Sequence, residues 1–251
     1  MASSAQSPVP SISTDVLPLD TKGLRLGLKR FLDEDLAGIG KIGSCKFGVY
    51  AFFDYDEEPI YVGQTCESLR SRIGRHLTNQ RTDAVAMSVL DPYEVYSIEV
   101  WPLPEYQEVS QKQSSLDWKK AKGHLDSLEA TVFDLLMKRS KFNAVLNEKV
   151  PHTAMPKKIP VSHKGVIVSR EVADLRGHPD VRIARRAQTI ARLALVVCER
   201  DVQPGLRRTL RTQARRLQWL VEQRFAPFEG AAKAEDAKAD GDNVVLSEQP
   251  I

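Results

Sequence analysis

Cysteine is scarce in this 251-residue chain: Cys45, Cys66 and Cys198 are all there are. Three is an odd number for a disulfide framework, and the spacing is too wide for a zinc motif. A reducing interior fits best. Long apolar runs are missing as well; none approaches the roughly 20 residues that a membrane span requires. The opening MASSAQSPVPSISTDVLPLD has neither the basic start nor the apolar core of a secretory signal. A soluble, cytoplasmic protein with no membrane partner is expected. An excess of either charge is also lacking, because 36 Lys and Arg face 33 Asp and Glu for a formal +3. Overall charge therefore neither selects nor rejects a nucleic-acid partner. His124, His152, His163 and His178 show no ligand spacing.

What is present suffices for one good core with a smaller accessory unit beside it, since 42% of the residues are hydrophobic. Residues 1–22, rich in Ser, Pro and Thr, are expected to be loosely ordered. GLRLGLKRFLDEDLAGI then places Leu24, Leu28, Phe31 and Leu32 at helical spacing. FGVYAFFDYDEEPIYVG is two aromatic and β-branched runs around an acidic turn, which predicts a hairpin. Leu69, Ile73 and Leu77 mark the buried stripe of the next helix, and YEVYSIEVW alternates as a third strand. Leu125, Leu128, Val132, Leu135 and Leu136 predict a longer helix from Leu116 to Lys138.

Three prolines in VPHTAMPKKIPVSHKG break regular structure, so a first domain is expected at 23–150 and a linker at 151–164. A basic helical domain follows at 165–228. Ile183, Ala187, Ile190, Ala191, Ala194 and Val197 form one predicted apolar stripe. Leu206, Leu210, Ala214, Leu217 and Leu220 form the second, across the Pro204-Gly205 break. The expected helical hairpin carries its arginines, Arg182, Arg186 and Arg216 among them, largely off those stripes. The tail, 229–251, is polar and expected to be disordered.

Several side chains suggest chemistry. Strand alternation turns Tyr50 away from Val49 and Ala51, and the hairpin can bring Tyr61 to the same end of the sheet. Gly63 removes a side chain where the backbone leaves the strand, so a large ligand could approach. Arg72 and His76, four apart, share one helix face. Glu129 falls in an apolar row between Leu125 and Phe133. Desolvating that carboxylate costs several kcal/mol unless a divalent cation, or an ion pair with Arg72, offsets it.

The ordered set of GVY at 48–50, YVG at 61–63, Arg72, His76, a helical Glu and a later Asn resembles the GIY-YIG nuclease superfamily over residues 45–150. Both triplets carry Val where the family name has Ile. The resemblance implies an α/β (α+β) domain with a small mixed sheet flanked by helices, here three-stranded, followed by the C-terminal helical hairpin. It also implies hydrolysis of a phosphodiester with a single divalent ion, Mg2+ or Mn2+. Carried over by position, the catalytic set is Tyr50, Tyr61, Arg72, His76, Glu129 and Asn143, with Glu129 the metal ligand. Asn147 competes with Asn143, and Arg70 or Arg75 with Arg72. The loop NQRTDAVAMSVLDP is a candidate substrate-contacting insertion.

The resulting expectation is a metal-dependent endonuclease acting on DNA, restriction-like or in repair, with RNA and a homodimer left open. The alternative is an inactive nucleic-acid-binding module on the same fold. Arg185, Arg186, Arg207, Arg208, Arg211 and Arg215 are the candidate nucleic-acid contacts outside the first domain.

Overall fold

Apolar spacing builds the first helix, α1 (Leu19–Asp33), which buries Leu24, Leu28, Phe31 and Leu32. It begins inside the segment expected to be loose. The computed structural model describes residues 17–78, 90–110, 115–147, 149–152 and 155–242, with side-chain surroundings through 226. A two-residue ladder, β1 (Asp35–Leu36) and β2 (Gly40–Lys41), leads to the predicted hairpin of β3 (Gly48–Phe53) and β4 (Pro59–Thr65). Asp54 shapes the turn by accepting from the amides of Asp56 and Glu58 at 2.9 and 3.1 Å.

Helix α2 (Leu69–Leu77) starts on Ser68, whose hydroxyl accepts from the Ser71 amide at 3.1 Å. Then come β5 (Ser97–Pro102) and α3 (Ser115–Arg139). All six residues of β3 are buried, because the sheet is covered on both faces. Tyr50 and Phe52 join α1 and α2 on one side. Val49, Ala51 and Phe53 join the α3 residues Leu125, Leu128 and Val132 on the other.

The sheet differs from the expected mixed, three-stranded one. It has four strands in the order β4-β3-β5-β6, every pair antiparallel. The added strand is β6 (His163–Val166), which crosses the end of the expected linker. Its sequence, HKGV, is short and polar with no apolar alternation, so periodicity could not reveal it. Gly165 fits because a Cβ there would meet the Phe31 ring at 2.7 Å.

Helices α4 (Arg170–Arg176), α5 (Pro179–Glu199) and α6 (Pro204–Asp242) complete the chain. The last runs well into the tail expected to be disordered. Its end is rich in Ala, Lys and Glu, which favour helix. The predicted apolar stripes of α5 and α6 are buried in part: Leu206 and Leu220 are buried, and Val197 and Leu210 pack against the core. Ala187, Ala191, Ala194 and Ala214 are exposed, while Arg182, Arg186, Thr189 and Leu193 are the buried face of α5. On α6 the buried face includes Leu206, Thr209, Thr212, Arg216 and Leu220.

The acidic hairpin turn is what draws those arginines inward. Arg182 pairs with Asp56 at 2.7 Å and Asp54 at 3.4 Å. Arg186 pairs with Glu94 at 2.6 Å and Asp54 at 3.5 Å. Arg216 meets Glu58 at 3.4 Å and donates to the Pro59 carbonyl at 2.6 Å. Glu58 in turn accepts from the Ser140 hydroxyl and from the Lys141 amide. Arg186, expected as a nucleic-acid contact, is thus buried within this ion-pair network, and Arg185 is held by Asp91 at 2.8 Å. Burial lowers the proton affinity of Arg216 to a pKa of about 10, which leaves it charged at neutral pH.

Removing one partner of such a pair strands the other charge in a dry interior. Arg216→Ala is expected to lower unfolding free energy by about 3–5 kcal/mol in chemical denaturation. A loss below about 1 kcal/mol would show that the network is not structural.

Candidate active site at the sheet edge

Strand register sets Tyr50 directly across from Gly63. A Cβ on Gly63 would lie 2.5 Å from the Tyr50 hydroxyl and 2.9 Å from the Tyr61 ring. The space expected to admit a ligand is therefore filled by the Tyr50 phenol itself. Tyr61 is half-buried at 6.2 Å, centroid to centroid, from Tyr50. His76 comes from α2 to 4.9 Å from Tyr61 and 5.8 Å from Tyr50. Phe52 closes the cluster at 5.3 Å from Tyr50.

One turn before His76, half-buried Arg72 adds positive charge to this group. Its field lowers the pKa of Tyr50 and of Glu129 alike. The two competing arginines are engaged elsewhere: Arg70 with Asp33 at 2.5 Å, Arg75 with Glu67 at 2.8 Å. Tyr50 is fully buried, and its hydroxyl has no partner of hydrogen-bonding geometry among the described residues. The same holds for Arg72 Nε. Burial raises the Tyr50 pKa well above the ordinary phenol value, the neighbouring Tyr61 raises it further, and Arg72 opposes both.

Glu129 arrives from α3, which covers the opposite face of the sheet from α2. It reaches the same place because β4 is the edge strand. The Gln64 side-chain amide, one residue past Gly63, donates to Glu129 at 2.9 Å and to Asp126 at 2.7 Å. Lys122 completes the group, donating to Gln64 at 3.1 Å and to Asp126 at 2.6 Å. Burial pushes the Glu129 pKa up to about 7, against the lowering effects of Lys122, Gln64 and Arg72. The negative charge of Glu129 is felt at Tyr50. Phenol, guanidinium and carboxylate thus share one rim.

The two asparagines separate clearly. Asn143 is exposed in a left-handed turn at φ 48°, its amide bonded to the Ser140 carbonyl. Asn147 is buried, accepts from the Val62 amide at 3.0 Å and donates to the Val62 carbonyl at 2.6 Å. It grips β4 between Tyr61 and Gly63, whereas Asn143 makes no such contact with that strand. Gln64, Asp126 and Lys122 were missed from sequence; the spacing of 122, 126 and 129 along one helix was the available signal. Residues 79–89 of the candidate insertion lie outside the described residues.

No group of three or more acidic, His or Cys side chains able to hold a metal occurs among the described residues. Glu129 nevertheless fits a lone divalent cation. It is a hard oxygen donor whose desolvation favours a bound positive charge, and such ions keep several water or phosphate ligands.

Residues 46–140 match the family model of the GIY-YIG catalytic domain. No curated protein and no solved structure matches the chain. The matched segment, less than half of the chain, runs from β3 through α3 and is similar to the catalytic domain of the GIY-YIG nucleases. It contains Tyr50, Tyr61, Arg72, His76 and Glu129, but ends before Asn147, β6 and the C-terminal helices.

Gly63→Ala is expected to cost about 1–3 kcal/mol through overpacking against Tyr50, read as a lowered denaturation midpoint. A second expectation concerns pH. A carboxyl whose pKa rises on folding gives stability that is complete below its unfolded value and is lost as pH climbs through its folded value. Unfolding free energy measured in chelator should therefore fall by about 1–3 kcal/mol between pH 4.5 and 7.5 on account of Glu129, after allowance for its partial exposure. Glu129→Gln should flatten that component, and an unchanged slope would show that the carboxyl is not strained.

Proposed function

We propose that the protein is a divalent-metal-dependent endonuclease that hydrolyses phosphodiester bonds in DNA. The observation that carries this reading is the convergence of the Tyr50 phenol, the Arg72 guanidinium and the Glu129 carboxylate on the rim of β4, each within electrostatic reach of the others. A phosphodiester is among the slowest bonds to hydrolyse unaided, so charge relief on the phosphoryl oxygens is the main requirement.

Glu129 would hold Mg2+ or Mn2+, oriented by Gln64, and the bound ion would supply Lewis-acid neutralisation of developing negative charge. Arg72 offers a charge-assisted hydrogen bond to a phosphate oxygen, worth about 1.5–3 kcal/mol. Tyr50 is the proposed proton acceptor from the attacking water. In the free protein burial keeps its proton on, so it acts only when positive charge lies beside it. That makes the base conditional on a filled site. Tyr61 and His76 pack against it and orient the ring, and Asn147 fixes the strand that carries Tyr61.

Purified protein incubated with plasmid and with single-stranded DNA is expected to cut only with Mg2+ or Mn2+ present. Glu129→Gln and Tyr50→Phe should each reduce the rate at least about 100-fold with the fold intact by circular dichroism. Asn147→Ala should impair cutting and Asn143→Ala should not. Full metal-dependent activity in Glu129→Gln or Tyr50→Phe removes that residue from the mechanism. A wild-type protein that binds DNA but never cuts is the inactive binding module instead.

A further inference from the structure

Helix α6 divides its arginines between two tasks. Arg216, fully buried, is spent on Glu58. Arg207, Arg208, Arg211 and Arg215 are exposed. Between Pro204 and Val221 the helix has no Asp or Glu at all. Among the described residues no carboxylate forms an ion pair with Arg207, Arg211 or Arg215. Arg207, Arg211 and Arg215 recur every fourth residue, about 6 Å per step along the axis. Like charges at that spacing destabilise an isolated helix slightly, so the row is not there for helix stability.

Its position ties it to the site. Arg215 donates to the Phe142 carbonyl at 3.3 Å, and Thr209 on the same helix donates to the Leu146 carbonyl at 3.5 Å. The Leu146 amide bonds to the Ile60 carbonyl of β4 at 2.8 Å, and Asn147 holds Val62. One short segment, 142–147, therefore links the arginine row to the strand bearing Tyr61 and Gly63. No aromatic residue interrupts the row between 207 and 215, so it suits a sugar-phosphate backbone and not stacked, unpaired bases.

We propose that Arg207, Arg211 and Arg215 form a comb that grips the phosphate backbone of duplex DNA and leads it to the edge of β4. The proposal rests on the nucleic-acid reading above, and its test is separable from cleavage. Binding of the full chain to a fluorescent duplex is measured by anisotropy over a salt series without divalent cation. The triple variant Arg207→Gln, Arg211→Gln, Arg215→Gln is expected to bind roughly tenfold or more weakly at low salt, with the log–log salt slope shallower by about 2 to 3. The corresponding triple Lys variant should keep the wild-type slope. Unchanged affinity and slope in the Gln variant, or equal loss in the Lys variant, overturns the comb. Tighter, arginine-dependent binding of an RNA duplex or a single strand overturns the assignment to duplex DNA. A protein that shows the expected slopes yet never cuts with Mg2+ refutes the hydrolytic reading and leaves the comb standing.

Discussion

Three buried arginines facing four carboxylates hold this molecule in one piece. Arg182, Arg186 and Arg216 come from the two long C-terminal helices, and Asp54, Asp56, Glu58 and Glu94 come from the segment that precedes them, 46–140. Such pairs add little net stability compared with apolar packing, since both ions must be stripped of water. Their value lies in register: an arginine fork matched to a carboxylate fits in one place only. The helices are thereby locked against the hairpin turn that joins the strands of Tyr50 and Tyr61.

The site follows from that arrangement because it lies on an edge strand. Glu129 and Tyr50 belong to opposite faces of the sheet, which in the middle of the sheet would keep them apart. At β4 the sheet ends, Gly63 offers no side chain, and Gln64 bridges outward to the carboxylate. Two groups strained in the same sense lie within electrostatic reach of each other there: a phenol and a carboxyl, each held back from ionising by burial. Both are relieved by the same addition, a positive charge.

Much of the fold could be read from the chain. Alternation in GVYAFF and spacing in Leu69, Ile73 and Leu77 placed strand and helix, because packing there follows simple apolar periodicity. The same logic held only in part for α5 and α6, where arginines and threonines share the buried faces with Leu193, Leu206 and Leu220, and no periodicity rule anticipates arginine as a core residue. Strand β6 was invisible for a related reason: only pairing with β5 gives HKGV its form. At the candidate site, Tyr50, Arg72 and Glu129 stood out through their order along the chain. Which of Asn143 and Asn147 turns back to Val62 was not legible, since that depends on the path of the loop after α3. Gln64 carried too little chemistry of its own to stand out.

The segment that bears Asn147 has one more effect. A strand at the end of a sheet leaves amides and carbonyls free to pair with another chain, a common start of misassembly. Here Leu146 and Asn147 occupy those groups at Ile60 and Val62, much as a fifth strand would. The opposite border is blunted by different means, a strand of only four residues with a lysine at one of its two exposed positions. The polar side chain that steadies β4 thus also covers the groups through which that edge could pair with another chain.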